Sequence, residues 1–287
     1  MSMAAQGPTA QGPTAQGPAG QTASRSGSWV RRELLAEWTK LRTVRSTIWS
    51  LLLLVVLTLG FTTLFTALTV SQWDQTDAEG QATVLADPVS TILGAGLFLG
   101  QLTICVLGVM VITTEYSTGM IRASLMAEPR RWRMLAAKCA VFGALVFVVG
   151  EFVSFASYAI GSRILHSKAP VALSDPGVLR AVIGGGLYLA VLGLFALAIG
   201  GIVRHTAGSI TGVIGFILVL SPLAQLLPGD IGKYVHAYLP AEAGQLISYA
   251  HAPSDAVLSP WEGFGVFCLW TALLLAVATY LLERRDA

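Results

Sequence analysis

The chain has 287 residues, of which 54% are hydrophobic and only 12% are charged, and its mean hydropathy is +0.68. Soluble domains carry about 25% charged residues, so this composition excludes a soluble globular protein and indicates an integral membrane protein. The net charge of +2 is too small to indicate a nucleic-acid partner, and the basic residues lie in short segments beside apolar runs.

The N-terminal tract repeats AQGPT twice and continues as AQGPA, from Ala5 to Ala19. A Pro/Gly/Gln tract of this kind has no apolar face to bury, so it is predicted to be disordered. It does not have the pattern of a secretory signal, because the first long apolar run begins only near Ile48. We assign residues 1–27 to a disordered tail and residues 28–287 to the membrane domain.

Residues 29–45 form an amphipathic segment in front of the first apolar run. Apolar residues recur there at helical spacing, and most charges fall off that stripe, which predicts a helix lying along the membrane surface. A first span that simply starts early, with a charged flank, is the alternative. The apolar stripe contains Val30, Leu34, Trp38, Leu41 and Val44, the charges off it include Lys40 and Arg42, and Glu37 interrupts its face.

Six apolar runs reach the roughly 20 residues that are needed to cross a bilayer. Runs this long satisfy their backbone hydrogen bonds in lipid only as helices, so the predicted fold class is an all-α membrane protein with six transmembrane helices. After the fifth run, which contains Ser221-Pro222, residues 228–260 predict either short helices in the outer leaflet or a surface loop. The spans are predicted at about 48–70, 92–112, 135–160, 182–202, 209–227 and 264–282.

Lys and Arg concentrate before the first span, after the second and after the sixth, which predicts that these segments and both termini are cytoplasmic. The loops after the first and fifth spans are acidic and are predicted to lie outside. One loop disagrees, because Arg163, Lys168 and Arg180 fall on the outer side between the third and fourth spans.

The segment between the second and third spans predicts a short amphipathic helix followed by a basic cluster. Tyr116, Met120, Ile121 and Leu125 fall on one side of that helix, where they could enter a groove on a partner protein. A positively charged cytoplasmic loop with an interfacial Trp and no partner fits the pattern equally well. The residues predicted to anchor the segment at the lipid headgroups are Arg130, Arg131, Arg133 and Lys138.

No motif for catalysis or metal binding is present in the sequence. The four histidines are scattered without ligand spacing, and neither a G-x-S-x-G nor an H-E-x-x-H motif occurs. Glu151 is a charge inside the third span, where an ionisable group is costly and is by default a functional candidate. The alternative is a protonated Glu151 that is hydrogen-bonded to a neighbouring helix, through Ser154 or a residue of another span.

Three segments stand in a fixed order relative to the six spans. The first is AEWTKLR at Ala36–Arg42, which continues through Arg45 into a span containing Trp49, and the third is YLPAEAG at Tyr238–Gly244. The second comprises Glu115, Gly119, Ile121, Arg122, Leu125, Pro129–Arg131 and Lys138. Together they resemble the permease subunits of type-2 ATP-binding-cassette (ABC) exporters, in particular the six-span permeases of actinobacteria. The likeness covers residues 29–282 and leaves out the repeat tail.

The resemblance implies a membrane domain that pairs with a second copy or a paralogue and binds two cytoplasmic ABC ATPase subunits. A coupling helix at residues 115–127 would dock on the ATPase and transmit the closure of its ATP sites to the spans. ATP would bind to the partner alone, so we expect no enzymatic activity and no cofactor in this chain, which also has no G-x-x-x-x-G-K-[ST] loop. The residues implied in coupling are Glu115, Tyr116, Gly119, Met120, Ile121, Arg122 and Leu125.

The expected function is therefore that of a multi-pass permease in the plasma membrane of a bacterium, acting as an exporter. An ion- or proton-coupled secondary transporter that uses Glu151 is a second hypothesis. A membrane scaffold without transport activity is a third. Vesicle transport by the purified chain without an ATPase, abolished by Glu151→Gln, would favour the secondary transporter.

Overall fold

The computed structural model describes residues 22–121, 126, 130–253 and 256–284, and the residues described there contain helices and no strand. Of the predicted disordered tail, residues 1–21 lie outside the described residues. Residues 22–27 differ from the prediction, because the first helix, α1, begins at Thr22.

Eleven α-helices follow one another in this part of the chain. The segments of about membrane length are α2 (Arg45–Ser71), α4 (Pro88–Ser117), α5 (Arg131–Leu165), α6 (Val178–Val203), the pair α7 (Thr206–Leu218) and α8 (Leu220–Gln225), and α11 (Pro260–Arg284). The others are α1 (Thr22–Thr43), α3 (Ala78–Ala86), α9 (Gly229–Tyr238) and α10 (Pro240–Gln245), with 3-10 turns at Trp73–Gln75 and Leu246–Ser248.

The six predicted spans are confirmed as six helical segments that are long and apolar enough to cross a membrane. The fifth is broken between α7 and α8, for a reason visible in the sequence. A proline ring collides with the carbonyl four residues before it, and the residue four before Pro222 is Leu218, where α7 ends. Beyond it, α9 and α10 are short helices rather than a loop, whereas their position in the outer leaflet remains a prediction.

Helix α6 forms the centre of the bundle and packs against α4, α5 and α11. Glycines make this close approach possible: a Cβ on Gly108 would meet the carbonyl of Gly193, and a Cβ on Gly184 would meet the carbonyl of Ile247. Gly94, Gly212 and Gly215 differ, because the described residues leave open space at the position of a Cβ on each of them.

The antiparallel spans give the bundle two chemically different ends. The basic end is the one with the arginines of α1, of the start of α5 and of the end of α11. The acidic end is the opposite one, and it contains Asp87, Asp230 and Glu242. The loop that disagreed with the charge rule lies at the acidic end, where two of its cations have partners. Lys168 pairs with Asp74 at 3.3 Å, and Arg180 donates hydrogen bonds to the carbonyls of Tyr249 and Ala250.

Candidate functional site

Four charged side chains from three helices meet at the basic end in a closed ring. Lys138 on α5 contacts Glu37 Oε2 at 2.6 Å and Glu115 Oε1 at 2.8 Å. Lys40 closes the ring from α1, with its Nζ atom 2.7 Å from Glu37 Oε1 and 3.1 Å from Glu115 Oε1. Positive and negative groups alternate, so the four-charge ring of Glu37, Lys40, Glu115 and Lys138 carries no net charge.

The four-charge ring is buried to an extent that is unusual for ionised groups. The side chains of Lys138 and Glu37 are 2% and 3% exposed, that of Glu115 is 7% exposed, and only Lys40, at 26%, reaches water. Buried charges need partners because the interior does not replace their hydration. Removing one member of such a site typically costs about 3–5 kcal/mol, so the ring fastens α1, α4 and α5 together.

The electrostatics of Lys40 follow from its position at the edge of the four-charge ring. Burial alone would lower the pKa of its ammonium group. The hydrogen bond and charge of Glu37, together with the charge of Glu115, outweigh burial and raise that pKa above its ordinary value. Lys40 therefore stays protonated throughout the physiological range of pH.

The sequence reasoning placed Lys138 with the arginines at the lipid headgroups, and this was wrong. Lys138 lies about two turns further along α5 than Arg131, and its side chain is buried between the two carboxylates that neutralise it. The signal that could have found the ring was Glu37. A carboxylate on the apolar face of a helix needs a buried cation, and span alternation puts Lys138 and Glu115 at the same end of the bundle as Glu37.

Among residues 31–43 of α1, whose burial the structure describes, Glu37 and Leu41 are the two inward residues, both less than 10% exposed. Trp38 and Val44, which the sequence put on the same apolar stripe as Leu41, are each 44% exposed, and Arg42 is exposed as well. The helix therefore docks on α5 by the face that carries Glu37 and leaves other apolar side chains uncovered. Its position at the membrane surface remains a prediction.

A cavity of about 380 Å³ lies between α1 and α4, and the four-charge ring forms one of its walls. Apolar side chains and hydroxyl groups make up the rest of its lining, among them Leu107, Met110, Thr47 and Thr114. The second carboxylate oxygen of Glu115 has no hydrogen-bond partner among the described residues.

The predicted coupling residues divide into buried and exposed positions. Tyr116 is half-buried under the guanidinium of Arg204, whose carbon lies 5.0 Å from the ring centroid. Ile121 is 3% exposed and packs in the core, so the expectation that it is available to a partner was wrong, whereas Met120 is 48% exposed. Arg122 and Leu125 lie outside the described residues.

Gly119 lies two residues after the end of α4, with a backbone φ of +71° and with no described atom near the position of a Cβ. This left-handed conformation favours glycine, so the residue just after the helix is one that adopts it without strain. Glu115, the α4 member of the four-charge ring, therefore lies about one helical turn before the glycine at which the backbone departs from helical geometry.

The three arginines predicted at the headgroups lie at the basic end. Arg130 is exposed and Arg133 lies with its guanidinium carbon 5.6 Å from the centroid of Trp132. Arg131 instead donates to the carbonyl of Leu282 at 2.7 Å, which ties the start of α5 to the end of α11. A contact of these arginines with headgroups remains a prediction.

Glu151 lies on α5 against the backbone of Gly186, which has no side chain to displace it. Its Oε1 atom is buried without a hydrogen-bond partner among the described residues. Ser154, the partner considered from the sequence, donates instead to the carbonyl of Val182 at 2.6 Å. The structure therefore does not contain the hydrogen bond between Glu151 and Ser154 that was the alternative to a functional role for Glu151.

A second polar cluster, which sequence reasoning missed, lies at the acidic end. Ser221 on α8 hydrogen-bonds Glu242 on α10, and His236 on α9 places its Nε2 atom 3.1 Å from the Ser221 hydroxyl and 3.6 Å from Glu242 Oε2. A cavity of about 540 Å³ opens beside these groups. Burial, and then the negative charges of Glu242 and Asp87, raise the pKa of Tyr249 on its wall. Among the described residues no three His, Cys, Asp or Glu side chains could hold a metal ion.

The sequence matches the model of a known protein family. A family model described as "ABC-2 family transporter protein" matches residues 34–221. The matched region is well over half of the chain and contains all four members of the ring. No curated protein matches the chain.

Proposed function

Because the chain belongs to the ABC-2 family of transporter proteins, we propose that it is the permease of an exporter whose ATPase docks on residues 115–127. Membership of this family makes the chain a multi-pass transmembrane permease component that works with an ABC ATPase and does not itself hydrolyse ATP. The docking segment, the direction of transport and the pairing with a second permease chain are the parts that we propose.

The observation that carries the docking proposal is the position of the four-charge ring. It joins α4 and α5, the two helices that the segment after Ser117 connects, and it adds α1 to the same unit. A force applied to that segment therefore reaches three helices through buried charge pairs rather than one helix through a loop. Met120, exposed just beyond Gly119, gives the partner an apolar side chain to hold.

The docking proposal is tested by purifying the tagged chain from its own cells and measuring how much ABC ATPase is retained. Met120→Asp and Arg122→Glu should lower the retained ATPase and leave membrane insertion intact. Ile231→Asp is the matched control, because Ile231 is an exposed apolar residue at the acidic end, 67% accessible. The proposal fails if the wild type retains no ABC ATPase or if all three variants retain as much as the wild type.

Export is proposed on the resemblance to ABC exporters, and both termini are placed in the cytoplasm of a bacterium. Loss of the chain should raise at least one compound inside the cells and deplete it from the medium, whereas an importer would give the opposite result. The mass of the purified complex distinguishes two permease copies from one copy with a paralogue.

A further inference from the structure

A second cleft lies beside the four-charge ring, between α1 and α5, with a volume of about 710 Å³. Its wall on α1 is a single helical face with the spacing i, i+3, i+4 and i+7, formed by Arg31, Leu34, Leu35 and Trp38. Its wall on α5 is also one face, which runs from Ala140 to Val148. Helices α1 and α5 are thus in contact at Glu37 and Lys138, and the cleft separates them along these two faces.

The cleft has the length of one leaflet. Ala140 and Val148 are eight residues apart on α5, which is about 12 Å along the helix axis at 1.5 Å per residue. Half of a hydrocarbon core of about 30 Å is about 15 Å. Ala140 follows the ring residue Lys138 by two positions, so the cleft begins at the basic end and runs from there along the span.

The walls of the cleft are apolar and uncovered. Leu35 is 51% exposed, Val148 is 65% exposed, and Ala140 and Ala144 are too small to fill the space between the helices. Arg31 is the charged exception. It is exposed and stands at the N-terminal end of the α1 face, so a cation lies at one end of an apolar strip.

We propose that this cleft binds one anionic phospholipid, with an acyl chain along α5 from Ala140 to Val148 and its phosphate at Arg31. An acyl chain covers an apolar strip of one leaflet's length without burying any polar backbone group. Arg31 lines the cleft, so it favours a lipid with a net negative charge over a zwitterionic lipid, in which an ammonium group offsets the phosphate. The bound lipid adds a contact between α1 and α5 beside the four-charge ring. This proposal does not depend on the direction of transport or on ATPase docking.

The test uses the purified full-length chain in detergent, with added phosphatidylglycerol or phosphatidylcholine of identical acyl chains. Native mass spectrometry should show one phosphatidylglycerol retained per chain, about fivefold more than phosphatidylcholine, which is the factor that one cation near anionic lipid contributes. Arg31→Gln should remove this preference. Arg42→Gln is the matched control, because Arg42 is an exposed arginine of α1 that does not line the cleft, and it should keep the preference.

A second pair of variants tests the acyl chain. Ala144→Phe should fill the cleft and lower the retention of both lipids, whereas Ala159→Phe, at an exposed position of α5 away from the cleft, should not. Ala140→Leu replaces Ala144→Phe if the latter does not fold. The proposal is overturned if the two lipids are retained equally by the wild type, or if Arg31→Gln and Arg42→Gln behave alike. It is also overturned if Ala144→Phe changes the oligomeric state and leaves lipid retention unchanged, because the cleft is then an interface between proteins.

Discussion

Glu37 and Lys138 lie 101 positions apart in the chain, and their Oε2 and Nζ atoms meet at 2.6 Å where both side chains are almost fully buried. This contact makes α1 a structural part of the bundle rather than a helix held only by lipid. Because Glu115 and Lys40 complete the same site, a change at any member removes a contact between at least two of the three helices.

Lys138→Met should destabilise the protein by about 3–5 kcal/mol, because it leaves Glu37 and Glu115 buried without the cation between them. The free energy of unfolding in detergent, from denaturant titration, measures this effect. Lys168→Met is the matched control, since Lys168 pairs with an exposed aspartate, and it should cost only about 0–1 kcal/mol. Equal losses for the two variants would contradict a stabilising role of the buried ring.

Lys40 should contribute a pH-dependent part of the stability at alkaline pH. Its pKa is raised in the folded protein, so its stabilisation is fully present below the unfolded pKa of about 10.4 and is lost as the pH rises through the folded value. The free energies of unfolding of the wild type and of Lys40→Gln should differ by a constant amount below about pH 10 and converge above it. A gap that stays constant up to about pH 12 would show that the charge of Lys40 does not contribute.

Gly184→Ala should destabilise the bundle by about 1–3 kcal/mol, because the new methyl group meets the backbone of Ile247 and separates α6 from the turn after α10. Gly265→Ala serves as the control, since Gly265 faces open space within α11, and there alanine should be neutral or stabilise the helix by up to about 1 kcal/mol. Thermal unfolding in detergent compares the two. A smaller loss of thermal stability for Gly184→Ala than for Gly265→Ala would contradict the close contact between Gly184 and the backbone of Ile247.

Cysteines introduced at Ser117 and Ser167 should report opposite sides of the membrane. Both serines are exposed, the first at the basic end and the second at the acidic end. A membrane-impermeant maleimide added to intact cells should label Ser167→Cys above the level of the parent chain and leave Ser117→Cys unlabelled until the cells are opened. Labelling of Ser117→Cys from outside would invert the orientation and remove the basis for ATPase docking.

The positions of the spans could be predicted from the sequence because they depend on a local property, continuous apolar character over one bilayer thickness. The break between α7 and α8 could be predicted as well, because it depends on Pro222, a residue of the same segment. The partners of Glu37 are different, because hydropathy says which residues are buried but not which side chain a buried charge meets. Lys138 illustrates this limit: its neighbours in sequence are the headgroup arginines, whereas its neighbours in space are two carboxylates.

The acidic end was the hardest to predict for the same reason. Ser221, His236 and Glu242 are spaced without any recognisable motif, and only the fold of three short helices brings them together. Ser221 lies on α8, which the break at Val219 separates from α7. The sequence indicates such a break through Pro222, but not the direction in which the chain continues.

The last turn of α11 is held by the rest of the protein. The end of a helix normally frays, because its final carbonyls have no partner within the helix. Here Arg131 and Arg204 donate to the carbonyls of Leu282 and Leu281. Unwinding of this terminus therefore also breaks the hydrogen bonds from Arg131 at the start of α5 and from Arg204 in the turn before α7, so the final turn of α11 melts only when it detaches from two other parts of the bundle.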